Sequence, residues 1–251
     1  MFTSVKTNKE LSSMRQSGRM LATVLDMIKK RIEPNMSTKM LADMAKSELM
    51  SLGGQPTFLG YNGFPDVLCV SINDEVVHGI PSPERIIKKG DIVSIDFGVT
   101  YEGMITDSAI SVFVGELPNK EVNKLINITE ESLMAGISTL RDGVKVGDIS
   151  SEIQRVLDKS KLGIVRDLVG HGVGHNLHEE PNIPNFGMSH RGPKLRTGMT
   201  VAIEPMATLG DYRVTVDDDN WTVRTVDGSL SAHFEHTILV TDDGYEILTL
   251  I

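Results

Sequence analysis

Apolar residues recur every three or four positions over residues 8–31, at Leu11, Met14, Met20, Leu21, Val24, Leu25 and Ile28, the spacing of one helix face. Pro34 interrupts that pattern. Ser37 or Thr38 then supplies a cap for a second helix to about Leu52, which Gly53-Gly54 ends. Short apolar runs at 67–72 and 92–97 read as strands. The alternation over 99–114, with a turn at Gly103, reads as a hairpin. The order then restarts. Residues 119–140 carry helical spacing at Val122, Leu125, Ile126, Ile128, Leu133, Met134, Ile137 and Leu140; 142–157 form another amphipathic stretch, and strand-like segments follow.

The restart extends to motifs. "DGVKVGDISSEIQRVL" (142–157) echoes "EPNMSTKMLADMAKSEL" (33–49): a turn, a gap, then an amphipathic helix. "KKGDIVSID" (88–96) matches "RTGMTVAIE" (196–204), each with a basic residue before Gly, an apolar run and a closing acid. The pattern predicts an α+β chain of two similar halves, approximately 1–117 and 118–251, packed about a pseudo-two-fold axis. No Gly-rich linker separates them, so a single domain over 1–251 is expected. In that arrangement Asp96 and Glu204 fall at equivalent strand ends and face one another.

Composition narrows the class. A 251-residue chain that is 40% hydrophobic sustains a large core. A net charge of -9 argues against nucleic acid as the main partner. Residues 1–50 carry nine Lys/Arg and five Asp/Glu, a local +4 that reads as a solvated helix face. The single cysteine, Cys69, excludes an internal disulfide and fits a reducing compartment. "MFTSVKTNKE" lacks the apolar stretch of a secretory signal, and no apolar run approaches the ~18 residues of a membrane span. A soluble, cytoplasmic protein is expected.

The acids carry the chemistry. A carboxylate at the end of an apolar run is costly to bury unless paired. Asp96 alone reads most simply as a turn cap before Gly98. Asp107, Glu204 and Glu235 repeat the setting, however, and no Lys or Arg lies within 91–107, 198–207 or 229–240. Four converging carboxylates repel unless some are protonated or cations intervene; two divalent ions, +4 in total, balance them. "GHGVGHNLHEEP" adds His171, His175 and His178, with Gly172 and Gly174 disfavouring a helix there. His78 in "EVVHGIP" is a further candidate; His190, His233 and His236 read as structural or supporting residues.

Taken together, "NDEVVHGIP", "GDIVSID", "GHGVGHNLHEEP", "GMTVAIEPM" and "SLSAHFEHTILVTDDGYEILT" resemble type I methionine aminopeptidases, from about Lys6 to Leu250. The resemblance implies the pita-bread fold, two pseudo-two-fold-related halves with a central antiparallel sheet covered by helices. It implies two metal ions bridged by Asp107 and Glu235, with Asp96 completing one and His171 and Glu204 the other. A donor set of four carboxylates and one imidazole suits Mn²⁺, Fe²⁺ or Co²⁺ at least as well as Zn²⁺. The implied reaction removes an N-terminal methionine before a small second residue, by attack of a bridging hydroxide, with Glu204 as proton shuttle. His78 and His178 bind substrate and steady the transition state. The implied side-chain pocket is Phe58, Tyr61, Phe64, Cys69, Leu177, Met206 and Trp221, with an ordinary core role the alternative for Cys69 and Met206. Leu177, Gly98, Thr106 and His175 depart from the family's common residues and bear on pocket shape and metal preference.

Expected partners are a Met-peptide or nascent chain, with no specific nucleic acid and no membrane, and the protein itself is expected to be a monomer. A transient ribosome contact would use residues 1–50 rather than the acidic "DDDN" loop at 217–220. Two other functions fit the same residues: a proline-specific aminopeptidase or prolidase relative, which shares the five ligands but usually carries an additional N-terminal domain, and a non-catalytic peptide-binding protein of the same fold.

Overall fold

Thr7 starts the first helix. Its hydroxyl accepts from Glu10 N, while Glu10 Oε2 accepts from Thr7 N at 2.7 Å, so two of the free amides at the helix start are satisfied. The computed structural model describes residues 5–251. Helix α1 runs Asn8–Arg31 and closes on Lys29, Lys30 and Arg31, cations at the negative end of the dipole. Helix α2, Thr38–Leu52, is capped by Ser37 and terminated by Gly53 at φ 84°. Helix α3, Lys120–Ile137, starts from the Asn119 side chain, and α4 spans Val146–Lys159. Residues 142–145 are therefore turn rather than helix.

The helices cover sheets in pairs. Leu21, Val24, Leu25 and Ile28 of α1 and Leu41 and Leu49 of α2 pack on Val93, Ile95, Phe97 and Val99. Leu125, Leu133 and Ile137 of α3 and Ile149, Ile153 and Leu157 of α4 pack on Val201, Ile203, Ile238 and Val240. Each pair thus buries one apolar stripe against one sheet face. Among the described residues every strand pairing is antiparallel. In the first half, Ile92–Tyr101 pairs with Gln55–Pro56, Cys69–Ile72 and Met104–Phe113. In the second, the order is Tyr245–Ile247, His236–Val240, Thr200–Ile203, Gly170–Gly172, Glu179–Ile183. The sheets meet at a bridge between Ala109 and Glu235, whose amides and carbonyls bond reciprocally at 2.9 and 3.3 Å. Thr237 extends the seam, accepting from Asp107 N at 2.9 Å and donating to Asp107 O at 2.8 Å.

The strand at 92–97 and the hairpin at 99–114 are one structure. The first strand continues through Asp96 to Tyr101, turns at Glu102-Gly103 and returns as Met104–Phe113. Asp96 and Asp107 are therefore mid-strand, not at strand ends; only Glu204, after Thr200–Ile203, and Glu235, between Ser231–His233 and His236–Val240, occupy ends. The equivalence expected between Asp96 and Glu204 is broken in this respect. An acid ends an apolar run, but its backbone serves a ladder like any other. Among the described residues no helix is long and apolar enough to cross a membrane.

Candidate active site

Register brings the first two acids together. Asp96 lies opposite Ala109, and Gly98 opposite Asp107, so both carboxylates stand on one face as diagonal neighbours. Gly98 is needed there. A Cβ at that position would sit 2.6 Å from Phe58 Cε1, so the departure to glycine is matched to the Phe58 ring. Gly98→Ala is expected to cost ~1–3 kcal/mol by overpacking. Denaturant midpoints check this, and Phe58→Leu in the same chain should recover most of the loss.

The second half supplies the rest. His171, on Gly170–Gly172, has its Nδ1 2.9 Å from Gly172 O. A carbonyl only accepts, so Nδ1 carries the proton and Nε2 keeps a lone pair. That Nε2 lies 3.4 Å from Glu204 Oε1. Ligand atoms of Asp107, His171 and Glu235 lie within 4.8 Å of one another. Asp96 and Glu204 line the same cavity, of about 240 Å³.

Every acid of the group resists ionisation. Burial, then the charges of Asp107 and Glu204, pushes Asp96 well above the carboxylate range. Burial carries Asp107 up to about 7. Glu204 and Glu235 rise for the same reason, helped by the charge on Asp107. Burial, reinforced by His178, lowers His171 to about 4, leaving the imidazole neutral. Asp96 Oδ1, Asp107 Oδ1 and Glu235 Oε1 are buried with no hydrogen-bond partner among the described residues. Buried oxygens that converge without protein donors, beside an imidazole offering a lone pair, have the composition of a divalent-cation site. The residues present fit the metal that the sequence implies.

Aromatic side chains wall the cavity. Phe64 meets Trp221 edge-on at 5.1 Å and Phe58 at 6.4 Å. Tyr61, Cys69 and Leu177 complete the lining, together with Asn62, which the sequence did not single out. Met206 does not line it. Fully buried, it packs with Val76, Val77, Val165 and Val223, so its role is that of a core residue. Cys69 does face the cavity, and burial beside Asp96 pushes its thiol well up.

The histidines separate by neighbour. His178 stands 4.4 Å from His171 and its Nδ1 lies 2.8 Å from Tyr61 Oη. His78, at φ 61°, approaches Trp221 at 6.2 Å, and burial lowers it to about 4. His175 turns away: its Nε2 contacts Glu10 Oε1 at 2.8 Å, outside the cavity. Glu179 then anchors that loop, accepting from His175 N at 2.6 Å, Asn176 N at 2.9 Å and Lys6 Nζ at 2.7 Å. Thr106 is a scaffold residue whose hydroxyl pairs with Ser17 Oγ at 2.8 Å. His190 meets Asp148 at the surface and His236 bonds Thr249. His233 lies behind the acids, 3.9 Å from Glu204 Oε2.

Comparison with known proteins agrees with this geometry. The family described as metallopeptidase family M24 matches residues 12–242. Methionine aminopeptidase 1 of Bacillus subtilis is 46% identical over 246 residues, covering 98% of each chain. The crystal structure of a methionine aminopeptidase from Thermotoga maritima superposes with a TM-score of 0.97 at 43% identity, covering 100% of each chain. A prolidase from Pyrococcus furiosus shares the fold, with a TM-score of 0.77 at 20% identity over 98% of this chain and 65% of its own. The pita-bread fold of these proteins is the fold described above. With its antiparallel halves, its converging acids and these relatives over nearly its whole length, the chain belongs to metallopeptidase family M24, and within it to the methionine aminopeptidases.

Proposed function

We propose that the protein removes the N-terminal methionine of peptides or nascent chains whose second residue is small, using two divalent ions held by Asp96, Asp107, His171, Glu204 and Glu235. One observation carries it: a cluster of buried acids with orphaned oxygens, set in an aromatic cavity. When bound, the ions supply Lewis acidity and lower the pKa of water. Glu204 takes a proton from the attacking water and passes it to the leaving amine. His178 donates to the peptide carbonyl oxygen as charge develops there; a Tyr61 hydroxyl donating to Nδ1 leaves the proton on Nε2 for that bond. His78, kept neutral by burial, binds the substrate backbone. Phe64 and Trp221 offer ring edges to a thioether. Both halves contribute acids, which supports one catalytic domain over 1–251. The buried free thiol of Cys69 supports a reducing, cytoplasmic setting. A monomer is sufficient for this chemistry.

The deciding experiment is metal-dependent release of Met from short peptides. Met-Ala-Ser is expected to be cleaved, Ala-Pro peptides not, and Met-Lys much more slowly than Met-Ala. Equal rates on Met-Ala and Met-Lys, or preference for Ala-Pro, would overturn the assignment.

Within one motif, His171 and His178 play different roles. His171→Ala should lose an ion or bind it weakly. His178→Ala should keep its ions and lose ~10²–10³ in kcat, the range for one oxyanion donor. Metal stoichiometry and kcat on a Met-Ala peptide separate them, with His175→Ala, outside the cavity, as the comparison.

A further inference from the structure

His233 is buried at a cost, yet among the described residues its side chain bonds to nothing. It is 1% exposed, opposite Met206 on the Ser231–His233 strand. Its backbone is fully used: Ser111 Oγ accepts from His233 N at 2.8 Å and donates to His233 O at 2.9 Å. Neither ring nitrogen has a hydrogen-bond partner among the described residues. A buried polar group left unpaired is destabilising, a cost that leucine here would avoid.

The ring faces Glu204. The two oxygens of that carboxylate look at two imidazoles, Oε1 at His171 Nε2 (3.4 Å) and Oε2 at His233 Nε2 (3.9 Å). The imidazoles are not alike. His171 spends its proton on Gly172 O, so it presents a lone pair to Glu204. No other acceptor competes for the proton of His233, and a lone pair on its Nε2 would oppose the carboxylate. The Nε2–H tautomer is thus the favoured one.

We propose that His233 is a positioning residue: its Nε2–H donates to Glu204 Oε2 as the site closes on its ions, pinning the carboxylate so that Oε1 faces the reacting water. This rests on Glu204 being the base.

The test uses the metal-loaded protein with His233→Leu and His233→Gln. Expected for His233→Leu are unchanged ion content and KM and a kcat lower by roughly 10–100-fold, as for residues that orient metal-site groups. His233→Gln, which restores a neutral N–H donor, should come within a few-fold of the parent. In the unmutated protein loaded with Zn²⁺, ¹⁵N-edited NMR should find the His233 ring proton on Nε2, a readout that needs no variant to fold. Parental kcat in His233→Leu, glutamine no better than leucine, loss of an ion from His233→Leu, or a proton on Nδ1 would each overturn it. A fully active Glu204→Gln would instead bring down the role of Glu204; an inactive Glu204→Gln beside a fully active His233→Leu would bring down only the role of His233.

Discussion

Stripped of divalent cations, the protein should release no methionine from a Met-Ala peptide, and its fold should weaken as pH rises from about 6.5 to 8. The sign follows from the acids. Burial raises Asp107 from its ordinary 3.8 to about 7, so between those values the folded chain holds a proton that the unfolded chain has lost. This group's contribution to stability falls as pH rises through that window; the buried histidines His78, His171, His233 and His236, lowered to about 4, 4, 3 and 4, act oppositely below the ordinary imidazole value of 6.5, so the acids decide the sign above it. Asp96, Glu204 and Glu235 shift the same way as Asp107. Divalent ions bind the ionised form, so their stabilisation grows where the stripped protein is weakest. Thermal unfolding at pH 5, 6, 7 and 8, with EDTA and then with Mn²⁺, checks both parts. A midpoint that rises between pH 7 and 8 in EDTA would show that the acids are not held protonated together.

Glu204→Gln should lower kcat by ~10²–10⁴, the usual contribution of a general base, while leaving KM near its parental value. Glutamine keeps the size and one carbonyl oxygen, but cannot take a proton. The position of Glu204 suits a base. It follows the Thr200–Ile203 strand, lines the cavity and turns one oxygen toward His171 Nε2. If the loss appeared only in KM, Glu204 would be a substrate-binding group and not a base. If the variant lost an ion, its ligand role would outweigh its proton transfer, which is why ion content is measured on the same sample.

Much of the site was legible because its chemistry is local in sequence. Each acid sits in a segment free of Lys and Arg, and the histidine motif is dense enough to stand out. Its assembly was not legible. The apolar run ending at Asp96 suggested a strand end, yet the ladder continues to Tyr101 and sets Asp96 diagonal to Asp107. Met206 and Cys69 were equivalent as apolar candidates. One packs among valines and the other faces the cavity, a difference made in part by distant neighbours, Val76 and Val77 against Met206 and Leu177 and Trp221 against Cys69.

By itself the sequence determined the four helices, through apolar spacing and through caps such as Thr7, Ser37 and Asn119, because both act within a few residues. It also determined the donor types and the absence of cationic partners nearby. Only the tertiary structure decided that Gly98 makes room for Phe58, that His175 leaves the site for Glu10, and that His233 stands behind Glu204. Alternation along a strand assigns a side chain to a face, but what that face meets depends on register and on packing between distant segments.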